Sequence, residues 1–578
     1  MTMKQLKRKL GEWSGLELAL AAALSVLAWR GWVVAHKPAH LMDMANELGS
    51  IGEFQHLADC LFPNHSNTCL VYSQYTEKGV GFFFCNLADQ KKKLICEQAE
   101  KGWSWQKYGM LGWSPDDQFF ACAYPPNDPR QPAEEIIVVN GATGEVVVKL
   151  VASNMLTEFA WLTGHSFANA FWDGENRDVA VVEQKPDGSW IQAQLFKQLD
   201  NKEMSDLMAT SDHSVAWRQG ASLRALDFAV GRAEKIWESN SNKLERVSYS
   251  GKDGRFNLTC SDSTHWFQIR FRLPTRLNPQ GMEDNLPQTG DETKHAYLHT
   301  DGGTNMFQVG PDRNPAQVVF SWAGQVMNYQ MNGDSLYVIS DMPGEPYGIW
   351  KYDFNSGTSN RVVSALDHPL QYAKIVRGIF GSFTNSSGRL AHYQIWPPTH
   401  LTAGKKYPLV LGQTPYSFLG WMPYPQIAAN GGCYCVLVDR ASWFGGLENW
   451  GEDVMAARDL MTKDPNVDAG QVYLFGASAE TAPLTELLVE HPDMWLGAIL
   501  FNPSATPDPS TVRISKLMIL DGTDDGDSVV RWTRYQNQAA LAGMAINLAL
   551  INGAQHIAKS SGSEREKTTQ LARFLFGD

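Results

Sequence analysis

Phe475-Gly476-Ala477-Ser478-Ala479-Glu480 is the stretch on which the reading of this chain turns. It is a Gly-x-Ser-x-Gly nucleophile elbow with glutamate in place of the second glycine. The apolar run Val472-Tyr473-Leu474-Phe475 precedes it, and a helical pattern from Pro483 to Val489 follows. Strand, sharp turn and helix is the context that strains a serine and exposes its hydroxyl at the top of a sheet. A hydroxyl attacks only when a base takes its proton and donors receive the oxyanion that forms.

Around the elbow, short apolar strands alternate with helical patterns. Strands are expected at Leu409–Leu411, Val436–Asp439, Val472–Phe475, Ile499–Phe501, Leu517–Leu520 and Ile546–Ile551, with helices at Asp453–Lys463, Trp532–Ala542 and Glu564–Phe576. Gly378 to Tyr393 reads as a strand pair turning at Asn385-Ser386-Ser387-Gly388. Nearly all-apolar strands between helices predict a parallel sheet covered on both faces. Chemistry in such sheets gathers at the carboxyl ends of the strands.

The partners a serine needs occur in the chain order Ser, Asp, His. Leu517–Leu520 opens into Asp521-Gly522-Thr523-Asp524-Asp525-Gly526-Asp527, and Ile546–Ile551 opens into Asn552-Gly553-Ala554-Gln555-His556. Of 14 histidines, just His491 and His556 follow the elbow. His491 ends the helix behind the serine, where it suits a C-terminal cap, so His556 is the candidate base.

Residues 55 to 370 have a different texture, with short apolar or aromatic runs broken by Gly, Asp, Asn and Pro turns. About seven such couplets recur at roughly 45-residue spacing, a period that suits four-stranded blades arranged as a propeller. The expected organisation is a segment 1–36, a propeller over 50–372 and a second domain over 373–578. The Glu134-Glu135 pair reads as a solvated loop rather than an amino-terminus clamp.

With 578 residues, a charge of −13 and a pI near 5.6, the chain offers no basic face for nucleic acid. No His-Glu-x-x-His and no paired Cys-x-x-Cys points to zinc. Cys433 and Cys435 read as core residues on one strand face. Lys4, Lys7, Arg8 and Lys9 precede an apolar run from Leu18 to Trp29, which predicts a signal peptide or membrane anchor and an exported or anchored protein, with a cytoplasmic one as the alternative. Disulfides among Cys60, Cys69, Cys85 and Cys96 would match an oxidising compartment.

The layout resembles the prolyl oligopeptidase family of serine hydrolases. The resemblance is carried by Lys405–Val410, Asp439-Arg440-Ala441-Ser442, the helix Asp453 to Met461, Val467 through Ser478, Asp521 to Val530, and His556. It covers about 373–578 well and the propeller by texture. It implies an N-terminal propeller of about seven blades, a C-terminal α/β-hydrolase domain, and hydrolysis of short peptides or small acyl substrates without a cofactor. It further implies Ser478 as nucleophile, His556 as base and an Asp three residues after a Gly as acid. That count selects Asp525, whereas counting back from Val529-Val530 selects Asp527, and Asp524, just before Asp525, is the third candidate. One oxyanion donor would be the Ala479 N–H, and a second would come from Gly412–Tyr416, as Gln413 or Tyr416.

The chain departs from the family at Glu480, at Asp521 where a histidine is usual, and in the 46 residues between Ser478 and Asp525. A catalytically silent propeller–hydrolase that binds a peptide or protein partner, and an esterase on the same fold, stand as alternatives.

Overall fold

The structure is a computed structural model. It describes residues 41–577 apart from 56–60, 77–78, 99–111, 125–134, 152–154, 173–175, 201–203, 239–242, 251–254, 262–265, 273–293, 302–303, 312–317, 323, 325, 343–344, 367, 415–422, 440–449 and 555–562.

Among the described residues, seven antiparallel sheets follow one another between Leu61 and Ser364. Five have four strands and two, spanning Lys243–Arg272 and Lys294–Trp322, have three. Each sheet is built from consecutive strands and packs apolar side chains against at least one neighbour. Cys69, Val71 and Phe82 of the first sheet pack with Trp113, Phe120 and Ile137 of the second. Phe119 and Val138 of the second meet Phe167 and Trp190 of the third, and Val179 of the third meets Trp217 of the fourth. The last sheet returns to the first. Tyr337 and Ile349 share a core with Leu70 and Tyr72, and Asn332 Nδ2 donates to the Asn64 carbonyl at 2.6 Å. Side-chain cores between successive sheets, with the last sheet returning to the first, are what stacked blades produce when no single sheet can bury itself.

The remaining sheet has eight strands: β1 (Ile379–Thr384), β2 (Leu390–Trp396), β3 (Tyr407–Thr414), β4 (Tyr434–Asp439), β5 (Val467–Ala477), β6 (Gly497–Phe501), β7 (Lys516–Gly522) and β8 (Ile546–Ile551). Their order is β1-β2-β4-β3-β5-β6-β7-β8, with the β1–β2 and β2–β4 pairs antiparallel and the rest parallel. Six helices are named here: α1 (Leu41–Gln55), α2 (Pro423–Asn430), α3 (Trp450–Met461), α4 (Thr481–Glu490), α5 (Ser528–Leu541) and α6 (Ser563–Phe576). Strand side chains alternate between two cores. Leu409, Leu411, Leu474 and Ile519 face Val454 of α3, Leu487 of α4 and Trp532 of α5. Val410, Tyr473, Phe475 and Met518 face α1, α2 and Leu571 of α6.

Helices α1 and α2 have no counterpart in the sequence reading. Proline at its first position starts α2, and Gly432 at φ +92° follows its end, a residue choice that suits a left-handed stop. Helix α1 lies against α6, with the Thr568 hydroxyl donating to the Ala45 carbonyl at 2.9 Å. Gly49 allows this approach, since a Cβ there would meet Arg565 Cα at 2.6 Å. The Glu47 carboxylate accepts the N–H groups of Gln371, Tyr372 and Ala373 at 2.7–2.9 Å, tying the connection between the ring and the eight-stranded sheet to α1.

The cysteine expectation changes. Cys69, Cys85 and Cys96 are free thiols, and Cys60 lies outside the described residues. For Cys69 and Cys85 strand alternation is the reason, because they stand on adjacent strands yet join cores on opposite faces of their sheet. Cys433 and Cys435 are both buried in one core, and burial pushes the Cys433 thiol up to about 12. Glu135 is not in a loop; it opens the strand Glu135–Asn140, with Lys149 Nζ 3.7 Å from its carboxylate, while Glu134 lies outside the described residues. Segment 1–36 also lies outside them, and no helix among the described residues is long and apolar enough to cross a membrane.

One carboxyl in the ring links fold to pH. Glu158, on the strand Met155–Thr163, has its carboxyl raised from 4.5 to about 7, chiefly by burial and then by the nearby Asp206, against the opposing pull of the Leu207 N–H, Arg218 and Arg177. The folded state therefore holds this proton more tightly than the unfolded chain does. Its contribution to stability is full below pH 4.5 and is lost as pH rises to about 7. Glu158→Gln is expected to flatten the dependence of thermal stability on pH across that window and to raise the melting temperature at pH 8. An unchanged pH profile in the variant would refute this.

Candidate active site

The elbow forms where β5 ends. Ala477 is extended at φ −129°, ψ 142°, and Ser478 swings to φ +53°, the left-handed region that a residue with a Cβ adopts at a cost. Ser478–Glu480 then makes one 3-10 turn leading into α4. Gly476 is required here, since a Cβ would lie 2.2 Å from Leu484 Cδ1. The turn is held through the Ser478 carbonyl. It accepts the Thr481 hydroxyl at 2.6 Å, the Ser504 hydroxyl at 3.0 Å and the Ser504 N–H at 3.3 Å. Neither residue was singled out from sequence. Thr481 carried the signal of a capping residue type at a helix start, whereas nothing local marks Ser504, which follows β6.

Glu480 is 2% exposed, and its side chain folds back so that Oε2 accepts the Ala477 N–H at 3.2 Å. The glutamate therefore occupies the elbow without displacing it.

The acid loop after β7 is laced to the loop after β8. The Thr523 N–H donates to the Ile551 carbonyl at 3.0 Å and the Asp524 N–H to the Ala554 carbonyl at 2.9 Å. The Gly553 N–H returns to the Thr523 hydroxyl at 2.8 Å. Gly522 permits this contact, as a Cβ would stand 2.0 Å from the Ala554 carbonyl oxygen. Asp525 sits half-buried in this turn, whereas Asp524 and Asp527 are exposed. Asp524 accepts the Thr523 hydroxyl, and Asp527 stands just before α5. His556 is two residues past Ala554 and lies outside the described residues. Beyond its loop, Glu564 and Lys567 of α6 form a buried ion pair at 2.5 Å, and the Tyr424 hydroxyl of α2 donates to Glu564 at 3.2 Å. The described residues on either side of 555–562 are thus each held by hydrogen bonds or an ion pair.

Asp521 has a structural place. It is fully buried and accepts hydrogen bonds from Asn502 Nδ2 at 2.6 Å, the Gly522 N–H at 2.8 Å, Arg531 Nη2 at 3.0 Å and Trp532 Nε1. This knot joins the ends of β6 and β7 to the first turns of α5.

Of the oxyanion candidates, Ala479 is exposed in the 3-10 turn directly after the serine. Gln413 lies on β3 one residue past the Gly412–Phe475 pair, which brings its backbone beside the elbow, while Tyr416 lies outside the described residues. Chemically, the described parts are a strained serine at the carboxyl end of a central parallel strand, a carboxylate two strands away, and the start of the loop after β8.

No protein-family model matches the sequence, and no curated protein is similar to it. The structure does match solved ones. An acylaminoacyl peptidase in complex with Z-Gly-Gly-Phe-chloromethyl ketone is 13% identical at a TM-score of 0.59, over 88% of this chain and 93% of that one. A prolyl endopeptidase is 12% identical at 0.53, over 95% of both chains. A puromycin-hydrolyzing peptidase of Mycobacterium tuberculosis is 12% identical at 0.52, over 92% of this chain and 94% of its own. The fold is therefore that of the propeller-plus-hydrolase enzymes of the prolyl oligopeptidase family.

Proposed function

We propose that this chain is a serine hydrolase of the prolyl oligopeptidase family, cleaving short peptides or related small acyl substrates. In this reading Ser478 attacks the acyl carbon and His556 takes its proton and returns it to the leaving group. Asp525 orients His556 and stabilises its charged form. The Ala479 N–H and a donor from Gly412–Tyr416 receive the oxyanion. The seven sheets act as blades that limit access to the site. The observation that carries the reading is Ser478 at φ +53° at the end of β5, with the acid loop laced to the loop that leads to His556. The relatives in fold support peptide substrates, since those compared are peptidases.

The test is hydrolysis of a panel of short acyl-peptide amides and esters by wild type and Ser478→Ala. Wild type is expected to turn over members of the panel and the variant none, with both equally folded. A folded wild type inert to the whole panel would favour a silent binding protein. Turnover of esters without amides would favour an esterase.

A further inference from the structure

Glutamate at position 480 is the point at which the elbow departs from glycine, and the structure gives that departure a task. Where β5 stops pairing, at Ala477 opposite Phe501, the backbone leaves the sheet and enters a turn. N–H groups at such a start have no partner within the helix and need one elsewhere. An acid at the third position of a helix can reach back to the N–H of the residue before the first, which is one half of a capping box. Glu480 does this for Ala477 at 3.2 Å, with its side chain buried. The other half of the box is absent because Ala477 has no side-chain acceptor. The Thr481 and Ser504 hydroxyls instead fasten the Ser478 carbonyl. The residue in the strained conformation is thus held on both sides, by Glu480 through the preceding N–H and by the two hydroxyls through its own carbonyl.

We infer that Glu480 is a positioning residue for the nucleophile, holding Ala477–Ser478 in the left-handed elbow by accepting the Ala477 N–H, a part that glycine cannot play. This rests on the hydrolase reading of Ser478. The role is that of an acceptor, so an amide of the same length serves and a shorter acid does not. A misaimed serine loses rate far more than substrate affinity, because the interaction matters where the reacting atoms must align.

The test compares Glu480→Gln, Glu480→Asp and Glu480→Ala with wild type. It measures kcat and KM on one short peptide substrate and the rate at which a fluorophosphonate modifies Ser478, with melting temperature recorded for each. Glu480→Gln is expected to stay within about threefold of wild type in kcat with an unshifted pH–rate profile. Glu480→Asp and Glu480→Ala are expected to lose about 10–100-fold in kcat and in phosphonylation rate, with KM changed little. Glu480→Asp keeps the charge and most of the volume, so the comparison survives if the alanine variant fails to fold. A Glu480→Asp variant as fast as wild type would overturn the inference. So would a glutamine variant as slow as the aspartate one, or a shifted pH profile in Glu480→Gln, which would make the charge itself the agent. Wild type that never reacts with the probe would instead overturn the hydrolase reading beneath it.

Discussion

Asp525→Asn is expected to lower kcat on a short peptide substrate by about 10⁴-fold, while Asp524→Asn and Asp527→Asn stay within about tenfold. An amide in place of the orienting carboxylate leaves the geometry in place but presents the base with the wrong hydrogen-bonding partner. The proposed acid, Asp525, lies in a turn tied by its own backbone. Its backbone N–H donates to the Gly522 carbonyl at 3.3 Å, and its carbonyl accepts the Ser528 N–H at 3.0 Å. It is half-buried in the turn whose next-door N–H, that of Asp524, is bonded to Ala554 two residues before His556. Asp524 is exposed and occupied by Thr523, and Asp527 is exposed at the start of α5. Ser478→Ala is the companion measurement, with a loss of about 10⁶-fold in kcat expected from removal of a triad nucleophile. Steady-state kinetics on the four variants decides the matter. A collapse in Asp527→Asn with Asp525→Asn spared would move the acid to the other end of the loop.

Asp521→Ala is expected to destabilise the eight-stranded domain by about 3–5 kcal/mol, the range for stripping one partner from a buried ion pair and leaving its donors unmatched. The carboxylate is fully buried, and Asn502, Arg531 and Trp532 all point at it, with Asn502 itself at φ +41°. Arg531 is 40% exposed on its side chain, so water recovers part of its solvation and the effect belongs at the lower end of that range. Calorimetry should show a fall in the transition temperature of this domain, smaller for Asp521→Asn, which keeps the shape and one acceptor. A variant as stable as wild type would mean that the four contacts carry no net weight.

Much of the parallel sheet could be read from the chain because buried parallel strands are short, apolar and bounded by turns. Ile546–Ile551 was placed to the residue, and Gly497–Phe501 and Lys516–Gly522 within two. Ser478 was legible for the same reason, as a serine directly after such a strand. Two helices were not. Helix α1 draws its partners from α6, more than 500 positions away, as in the Ala45–Thr568 hydrogen bond, and no local pattern announces such a contact. Helix α2 is eight residues long and begins with Pro-Tyr-Pro, which reads as a loop. Cysteine proximity in sequence suggested disulfides, but strand alternation set Cys69 and Cys85 on opposite faces. Glu480 was legible as an exception to a motif. That it would turn back onto Ala477 depends on the backbone path of the elbow, which a motif does not encode.

The central claim is that Ser478 is an activated nucleophile. The most direct measurement is reaction of the folded protein with a fluorophosphonate, followed by mass spectrometry of the intact chain and of its peptides. One phosphonyl group per chain on the peptide containing Ser478, and none on Ser478→Ala, is the predicted result. A folded wild-type protein that takes up no probe, or that carries it on another residue, would contradict the account.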